Sequence, residues 1–298
     1  AEELEKNGHE FVMYKNRTTD KDELISRAAD ADVVMLANLP FGDEIIEKCN
    51  HLKLISVAFS GVDHIGIKLC KQRGISVRNA AGYSTGSVAE LTFGLIISVL
   101  RNIIQCDAAT RAGKTKEGLI GYDLCGKTLG IVGTGAIGLK VAEIGRAFGV
   151  KLLAYSRTEK DAAKVLGVQY TGLDDLLVRS DIITLHVPLN GGTRALIDQK
   201  RISLMKPSSI LINTARGPIV DNRALAEALK GGRIAGAGID VYDREPPLEE
   251  DNLLLSAPNT VLSPHVAFAT EEAMERRADI AFGNVISWLG GAERNTVV

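Results

Sequence analysis

The chain reads as an α/β protein: a doubly wound parallel sheet joined to a second, smaller α/β domain. Three observations predict this class. Short apolar runs alternate with amphipathic helical stretches along most of the 298 residues, the pattern of a parallel sheet with helices on its faces. A glycine fingerprint, Gly133-Thr-Gly135-Ala136-Ile137-Gly138, ends one apolar run and opens a helical one. Six strand-like runs follow a long apolar stretch that begins at Gly86, enough for a complete doubly wound sheet without the earlier ones.

Residues 33–37 (Val-Val-Met-Leu-Ala) and 52–57 (Leu-Lys-Leu-Ile-Ser-Val) are read as buried strands, and residues 74–78 as a shorter one. Helical segments such as 22–31 lie between them. Gly86-Ser-Val-Ala-Glu then opens a long apolar helix predicted to run to about Ala112, capped by Ser87 or Gly86. Further strands are predicted at 129–132, 151–155, 182–186, 209–213, 235–239 and 260–262, with helices at 136–148 and 222–230 among the connections. The amphipathic segment 271–289 is expected to be one helix that returns to the first domain. The predicted domains are therefore residues 1–82 with 271–298, and residues 83–270.

Composition narrows the function. Net charge is −2 and 45% of residues are hydrophobic, with a sequence pI of about 6.3. Nothing in that balance favours nucleic acid or an anionic membrane. The apolar runs are broken by charges or glycines well short of a membrane span. Cys49, Cys70, Cys106 and Cys125 form no C-x-x-C pair, so neither a metal site nor a dithiol motif is expected, and a reducing cytoplasmic setting fits. The acidic opening Ala1-Glu-Glu-Leu-Glu-Lys is not a signal peptide. It has neither a Met nor a strand before it, so further residues upstream are expected.

The fingerprint has a physical rationale. Gly133 allows a tight turn, Gly135 lets the backbone approach a pyrophosphate, and Gly138 permits close helix–strand packing. The phosphates then rest on a helix N-terminus, where free N–H groups favour anions. A dinucleotide site specific for NAD commonly places Asp or Glu about 20 residues on. Here the sequence is Tyr155-Ser156-Arg157-Thr158. A hydroxyl side chain followed by arginine suits a 2′-phosphate, which favours NADP(H). The other reading is a solvated Arg157 on a site open to NAD(H) as well.

Reducing a keto acid requires an anchored carboxylate, a polarised carbonyl and a proton for the new oxygen. Arg216, in Asn213-Thr214-Ala215-Arg216-Gly-Pro, follows a predicted strand at the sheet edge where ligands bind in open α/β folds. Its guanidinium suits the first two tasks. Imidazole, which titrates near neutrality, suits the third. His9 and His51 lie in polar stretches. His64 follows Gly61-Val62-Asp, and His186, before Pro188, either touches cofactor or caps its strand. His265, in Ser263-Pro-His265, ends a strand, and Glu245 follows the preceding strand; adjacent strand ends can bring the two together. The residues alone leave His265 one candidate among several.

These motifs together resemble the D-isomer-specific 2-hydroxyacid dehydrogenases over nearly the whole chain. The matching segments are Gly-Thr-Gly-Ala-Ile-Gly, His186-Val-Pro-Leu, Asn-Thr-Ala-Arg-Gly-Pro-Ile-Val-Asp, Gly238-Ile-Asp240-Val-Tyr-Asp-Arg-Glu245-Pro-Pro and Ser-Pro-His265-Val-Ala267. The resemblance implies a Rossmann cofactor domain and a discontinuous, flavodoxin-like substrate domain. It implies hydride transfer between NAD(P)H and a small 2-oxo acid. Arg216 would bind carboxylate and carbonyl, His265 would carry the proton, and Glu245 would pair with it. The backbone amides of Ser60-Gly61-Val62 would hold the carboxylate. Ala136 and Ile137 would lie along the pyrophosphate, and Thr214, Ala215 and Pro188 along the nicotinamide, with Asp240 on its carboxamide and His186 and Ala267 also on the cofactor side. The segment after the Gly86 helix would serve a homodimer.

Ser156-Arg157 is similar to NADP-using glyoxylate or hydroxypyruvate reductases, which makes those two acids the favoured substrates. Leu39, Phe59 and Phe268 are candidates for setting pocket width, and ordinary packing is the other reading of Phe268. The 2-oxo acid is expected to enter a cleft between the domains. Two rival readings share the scaffold: a formate- or phosphite-type dehydrogenase, disfavoured because Glu245 is not Gln, and an NAD(H)-sensing corepressor.

Overall fold

The computed structural model describes residues 2–245 and 247–298; Ala1, from the predicted first domain, and Pro246, from the segment after Glu245, lie outside the described residues. The chain divides into two compact units, residues 1–83 with 270–298, and residues 84–269.

The first unit contains α1 (Glu2–Lys6), α2 (Lys21–Ala28), β1 (Val33–Leu36), α3 (Asp43–Ile46), β2 (Leu54–Val57), α4 (Ile67–Arg73) and β3 (Ser76–Asn79). Its sheet is parallel in the order β1-β2-β3. The last helix of the chain, Glu271–Leu289, belongs to this unit and packs on β2. Leu54 and Val285 are buried at that contact, and the Ser56 hydroxyl donates to the Ala281 carbonyl at 2.9 Å. Thr270 caps the helix by accepting from the Ala273 N–H at 3.1 Å, and Glu271 and Glu272 complement the dipole.

The second unit runs α5 (Thr85–Leu100), α6 (Ile103–Arg111), β4 (Thr128–Val132), α7 (Ala136–Ala147), β5 (Lys151–Tyr155), α8 (Asp161–Val165), β6 (Gln169–Tyr170), α9 (Leu173–Arg179), β7 (Ile182–Leu185), α10 (Gln199–Ile202), β8 (Ile210–Asn213), α11 (Asn222–Lys230), β9 (Gly236–Ile239) and β10 (Thr260–Leu262). In chain order the final helix is α12. The sheet is wholly parallel, in the order β10-β9-β8-β7-β4-β5-β6. Its strands are apolar on both faces because both are covered. Along β8, Ile210 and Ile212 pack into one core cluster while Leu211 packs into the other, as the two-residue period of a strand requires.

Two expectations are corrected. The sheet has seven strands, not six: β6 is a two-residue strand, too short to carry an apolar run. The single helix predicted from Gly86 to about Ala112 is two helices bent by 60°. Asn102 breaks it with φ +52°, a conformation asparagine tolerates better than most side chains. The freed carbonyl of Leu100 accepts the Tyr122 N–H at 2.8 Å. Gly121 makes this crossing possible, since a Cβ there would lie 2.4 Å from the same carbonyl oxygen. Neither Ser87 nor Gly86 caps α5, whose N-cap position is Ser84 with no side-chain bond. No single helix among the described residues is long and apolar enough to cross a membrane.

Candidate active site

Every predicted cofactor and catalytic residue of the second unit follows the C-terminal end of a strand in the seven-stranded sheet. The fingerprint lies between β4 and α7. Ser156, Arg157 and Thr158 follow β5; His186 and Pro188 follow β7; Thr214, Ala215 and Arg216 follow β8. Asp240 and Glu245 follow β9, and His265 and Ala267 follow β10. One edge of one sheet therefore carries them all, the edge at which ligands bind in open α/β folds. Ser60, Gly61 and Val62 belong to the other unit, where they follow β2.

The fingerprint glycines differ in what surrounds them. A Cβ on Gly138 would lie 2.0 Å from the Gly133 carbonyl oxygen, and one on Gly133, where φ is +99°, would lie 2.6 Å from that of His186. Both are closed to any side chain. A Cβ on Gly135 would meet nothing within 4 Å. Gly135 thus borders open space at the N-terminus of α7, a helix of 12 residues. A pyrophosphate fits there, because free N–H groups and the helix dipole face it.

Beyond β5 the Arg157 side chain is exposed, and no hydrogen bond or ion pair among the described residues engages it. The nearby acid, Glu159, is paired instead with Lys164 at 2.7 Å. Two residues that the sequence did not single out hold this corner. Thr134, inside the fingerprint and 1% exposed, accepts from the Tyr170 hydroxyl at 3.0 Å, and that hydroxyl accepts the Lys160 N–H at 3.0 Å. Tyr170 sits on the overlooked strand β6, so it carried no recognisable pattern.

Arg216 is partly buried, with Nη1 donating to the Ala215 carbonyl at 2.8 Å. The Asn213 side chain shapes its turn, donating to the Arg216 carbonyl at 2.9 Å and accepting the Ala215 N–H at 3.0 Å. Gly217 follows because the chain there crosses the backbone of Tyr242; a Cβ would lie 2.0 Å from the Tyr242 carbonyl carbon. Thr214 is buried beside the Thr92 hydroxyl, at 3.1 Å.

His265 Nδ1 is 2.6 Å from Glu245 Oε2. A carboxylate only accepts, so Nδ1 carries the hydrogen and Nε2 is the ring atom left for a ligand. Phe268 packs edge-on against the imidazole, with centroids 5.4 Å apart. His265 holds φ +56°, an uncommon conformation for a non-glycine residue. Asp240 fixes it. Asp240 Oδ1 accepts from the Ser263 hydroxyl at 2.6 Å and from the Val266 N–H at 2.9 Å. Oδ2 accepts the Ala267 N–H at 2.9 Å, and the Asp240 carbonyl takes the His265 N–H at 2.8 Å. Desolvation raises the Asp240 pKa, against the effect of these bonds.

Asp240 is the residue expected on the nicotinamide carboxamide. Its carboxylate is shut from solvent and serves as the anchor of the His265 turn. Ala267 is likewise buried, with its N–H committed inward. His186 pairs with Thr184 Oγ1 through Nε2 at 2.9 Å, while Nδ1 is sealed without a partner. Burial pushes its pKa down to about 3, so the ring is neutral in the fold.

Residues 93–267 match the family model for the NAD-binding domain of D-isomer-specific 2-hydroxyacid dehydrogenases. The chain belongs to this family. Among relatives, a glyoxylate reductase of Thermococcus litoralis is 40% identical over 95% of this chain and 88% of its own length. A hydroxypyruvate reductase of Blautia hydrogenotrophica is 34% identical over 99% and 93%. Among solved structures, an acyclic imino acid reductase in complex with NADPH and D-Arg has a TM-score of 0.87 at 32% identity, covering 94% of this chain and 89% of its own. The D-lactate dehydrogenase of Aquifex aeolicus, complexed with NAD and lactic acid, has a TM-score of 0.86 at 33% identity, covering 92% and 89%. This member of the 2-hydroxyacid dehydrogenases is a nicotinamide-dependent oxidoreductase acting on the CH–OH group of 2-hydroxy acids, or in reverse on 2-oxo acids. That reading is favoured over a formate-type enzyme or a cofactor-sensing protein.

Proposed function

We propose that this dehydrogenase reduces glyoxylate or hydroxypyruvate with NADPH. The observation that carries the chemistry is the 2.6 Å bond from His265 to Glu245, which orients Nε2 as the proton-carrying atom. A bound nicotinamide supplies the hydride. Protonated His265 gives its Nε2 proton to the oxygen that becomes the hydroxyl, while Glu245 stabilises the imidazolium until then. Arg216 holds the carboxylate and polarises the carbonyl, with the amides of Ser60, Gly61 and Val62 as further carboxylate donors. Oxidation runs the same steps backward and starts from neutral His265. Reduction is therefore expected to favour lower pH than oxidation; superimposable kcat/KM profiles in the two directions would argue against His265.

The unpartnered Arg157 beside Ser156 and Thr158 supports the 2′-phosphate. Gly133, Gly135, Ala136, Ile137 and Gly138 would bind the pyrophosphate, and Pro188, Thr214 and Ala215 would line the nicotinamide side with His186 behind. Asp240 and Ala267 act through the His265 turn. Ile103, Ile104, Ile120 and Tyr122 are exposed on and after α6, which supports a homodimer covering them; light scattering tests it. The four free cysteines suit a cytoplasmic enzyme.

Steady-state reduction of glyoxylate, hydroxypyruvate, pyruvate and phenylpyruvate, each with NADPH and NADH, is the deciding experiment. Preference for NADPH with the two smallest polar acids supports the reading. Activity with NADH alone removes the role given to Arg157 and leaves the reaction standing.

A further inference from the structure

We propose that Asn79 is a positioning residue for the substrate carboxylate, acting through the Ser60–Gly61 peptide, and that Asn284 and Asn295 hold Asn79 for this task. The inference rests on the proposal above that the turn after β2 takes the carboxylate.

Asn79 is the last residue of β3. Its Nδ2 donates to the Ser60 carbonyl at 2.8 Å, and its Oδ1 accepts the Ala81 N–H at 3.3 Å. The second bond sets which end of the amide faces Ser60. In a trans peptide the carbonyl and the following N–H point in opposite directions. Pinning the Ser60 oxygen toward Asn79 therefore sends the Gly61 N–H to the other side. Among the described residues no hydrogen bond engages the N–H of Ser60, Gly61 or Val62. Successive unengaged amides are what a carboxylate needs.

The support behind Asn79 is extensive. Its N–H donates to the Asn295 carbonyl at 3.1 Å, and its carbonyl accepts from Asn284 Nδ2 at 2.9 Å. Asn284 is fully buried on α12, and its Oδ1 accepts from Asn295 Nδ2 at 3.0 Å. Asn295 has φ +51°, a conformation that favours asparagine over bulkier residues. The chain around it pairs antiparallel with β3: Val297 donates to the Val77 carbonyl at 2.7 Å, and Val77 to the Val298 carbonyl at 2.8 Å.

Arg78, only 4% exposed, clamps the same segment. It donates to the carbonyls of Ala292 and Asn284 at 2.8 and 3.1 Å and to the Ser287 hydroxyl at 2.8 Å. Among the described residues its hydrogen bonds go to neutral oxygens, a costly way to bury a cation that the nearby Glu293 charge partly offsets. Asn284 and Asn295 thus hold the backbone of Asn79, Arg78 clamps the segment behind them, and the Asn79 side chain carries that support to one peptide group. That group belongs to an exposed residue, Ser60, which fills no core. Fixing the direction of the Gly61 N–H is the task that accounts for so much support.

The test uses the full chain with glyoxylate and NADPH, and with oxamate as a non-reducible carboxylate. Asn79→Ala is expected to raise KM for glyoxylate and the inhibition constant of oxamate together, roughly 5- to 20-fold, the effect of one lost hydrogen bond. The kcat should change less than about threefold, and NADPH affinity not at all. Asn79→Asp keeps the shape but loses the donor when ionised. Its KM relative to wild type should be largest near pH 7 and shrink toward pH 4, close to the ordinary aspartate pKa of about 3.9, as the protonated carboxyl regains the bond to Ser60. A merely structural role would give a ratio independent of pH.

Asn295→Ala should move KM in the same direction by a smaller factor. If Asn79→Ala fails to fold, the pH dependence of Asn79→Asp decides alone. KM and oxamate binding within twofold of wild type, or a flat Asn79→Asp ratio, overturn the proposal while the reaction stands. A wild type that reduces no 2-oxo acid removes the reaction and the proposal together.

Discussion

Two turns at the same edge of the seven-stranded sheet are built by opposite means. The turn after β4 works by omission. Gly133 and Gly138 are bare because backbone fills the place of a side chain, and Gly135 is bare with open space around it. The turn after β10 works by attachment. Asp240 ties Ser263, Val266 and Ala267, and His265 is held at φ +56° with its ring on Glu245. A turn that receives a mobile group needs room, whereas a turn that presents a reacting atom needs to stay still. The contrast predicts where each turn breaks.

The largest expected effect is on the attached side. His265→Ala removes the proposed proton carrier and should lower kcat for reduction by about 10²- to 10⁴-fold, with NADPH affinity unchanged by fluorescence titration. A loss below tenfold would move the acid/base role elsewhere. On the open side the last and the middle glycine should behave differently. Gly138→Ala forces a methyl against the Gly133 carbonyl and should cost more than about 3 kcal/mol in denaturant unfolding. Gly135→Ala should fold with near-normal stability and lose affinity for NADPH instead, because its methyl enters only open space, where the phosphate is proposed to sit. Equal stabilities for the two variants would mean that the turn does not separate packing from binding in this way.

That contrast also explains how much of the molecule could be read in advance. Omission leaves a mark in the sequence: three glycines at fixed spacing after an apolar run, and strands apolar on both faces, announce the fold and the cofactor turn. Attachment leaves almost none. Asp240 was legible as a site residue, yet its partners are two backbone N–H groups and a serine, which carry no pattern. Tyr170 reaches Thr134 from a strand two residues long. The break at Asn102 depends on a segment crossing Leu100 from some twenty positions away. Asn79 and Asn295 escaped for the same reason, since amides that bond backbone look like any polar residue.

A third variant tests whether the open side extends to the ribose. Arg157 is exposed and unpaired among the described residues, so its removal should disturb no fold contact. Arg157→Ala is expected to raise KM for NADPH by roughly 10- to 100-fold, the range for a charge-assisted bond, while KM for NADH and the melting temperature stay put. A parallel loss with both cofactors would show that Arg157 serves the adenosine in general and not a 2′-phosphate.

The smallest effect concerns His186, a held group with a sealed nitrogen. Its folded pKa, near 3, lies below the ordinary histidine value of about 6.5, so the folded ring stays neutral where the unfolded ring takes a proton. Stability from this group is therefore complete above about pH 6.5 and is lost as pH falls from there toward 3. Full linkage would be about 1.4 kcal/mol per pH unit; the residue as a whole is only partly buried, so about 1 kcal/mol per unit or less is expected. Asp240, whose pKa is raised by burial, acts with the opposite sign, its contribution being lost as pH rises through its folded pKa. Because Asp240 is present in both proteins, comparing wild type with His186→Gln isolates the histidine. Urea unfolding at several pH values between 6.5 and 4.5 should give a shallower acid loss in the variant. Identical slopes would mean that the imidazole meets solvent in the fold, which would place His186 on the open side of the comparison with Gly135.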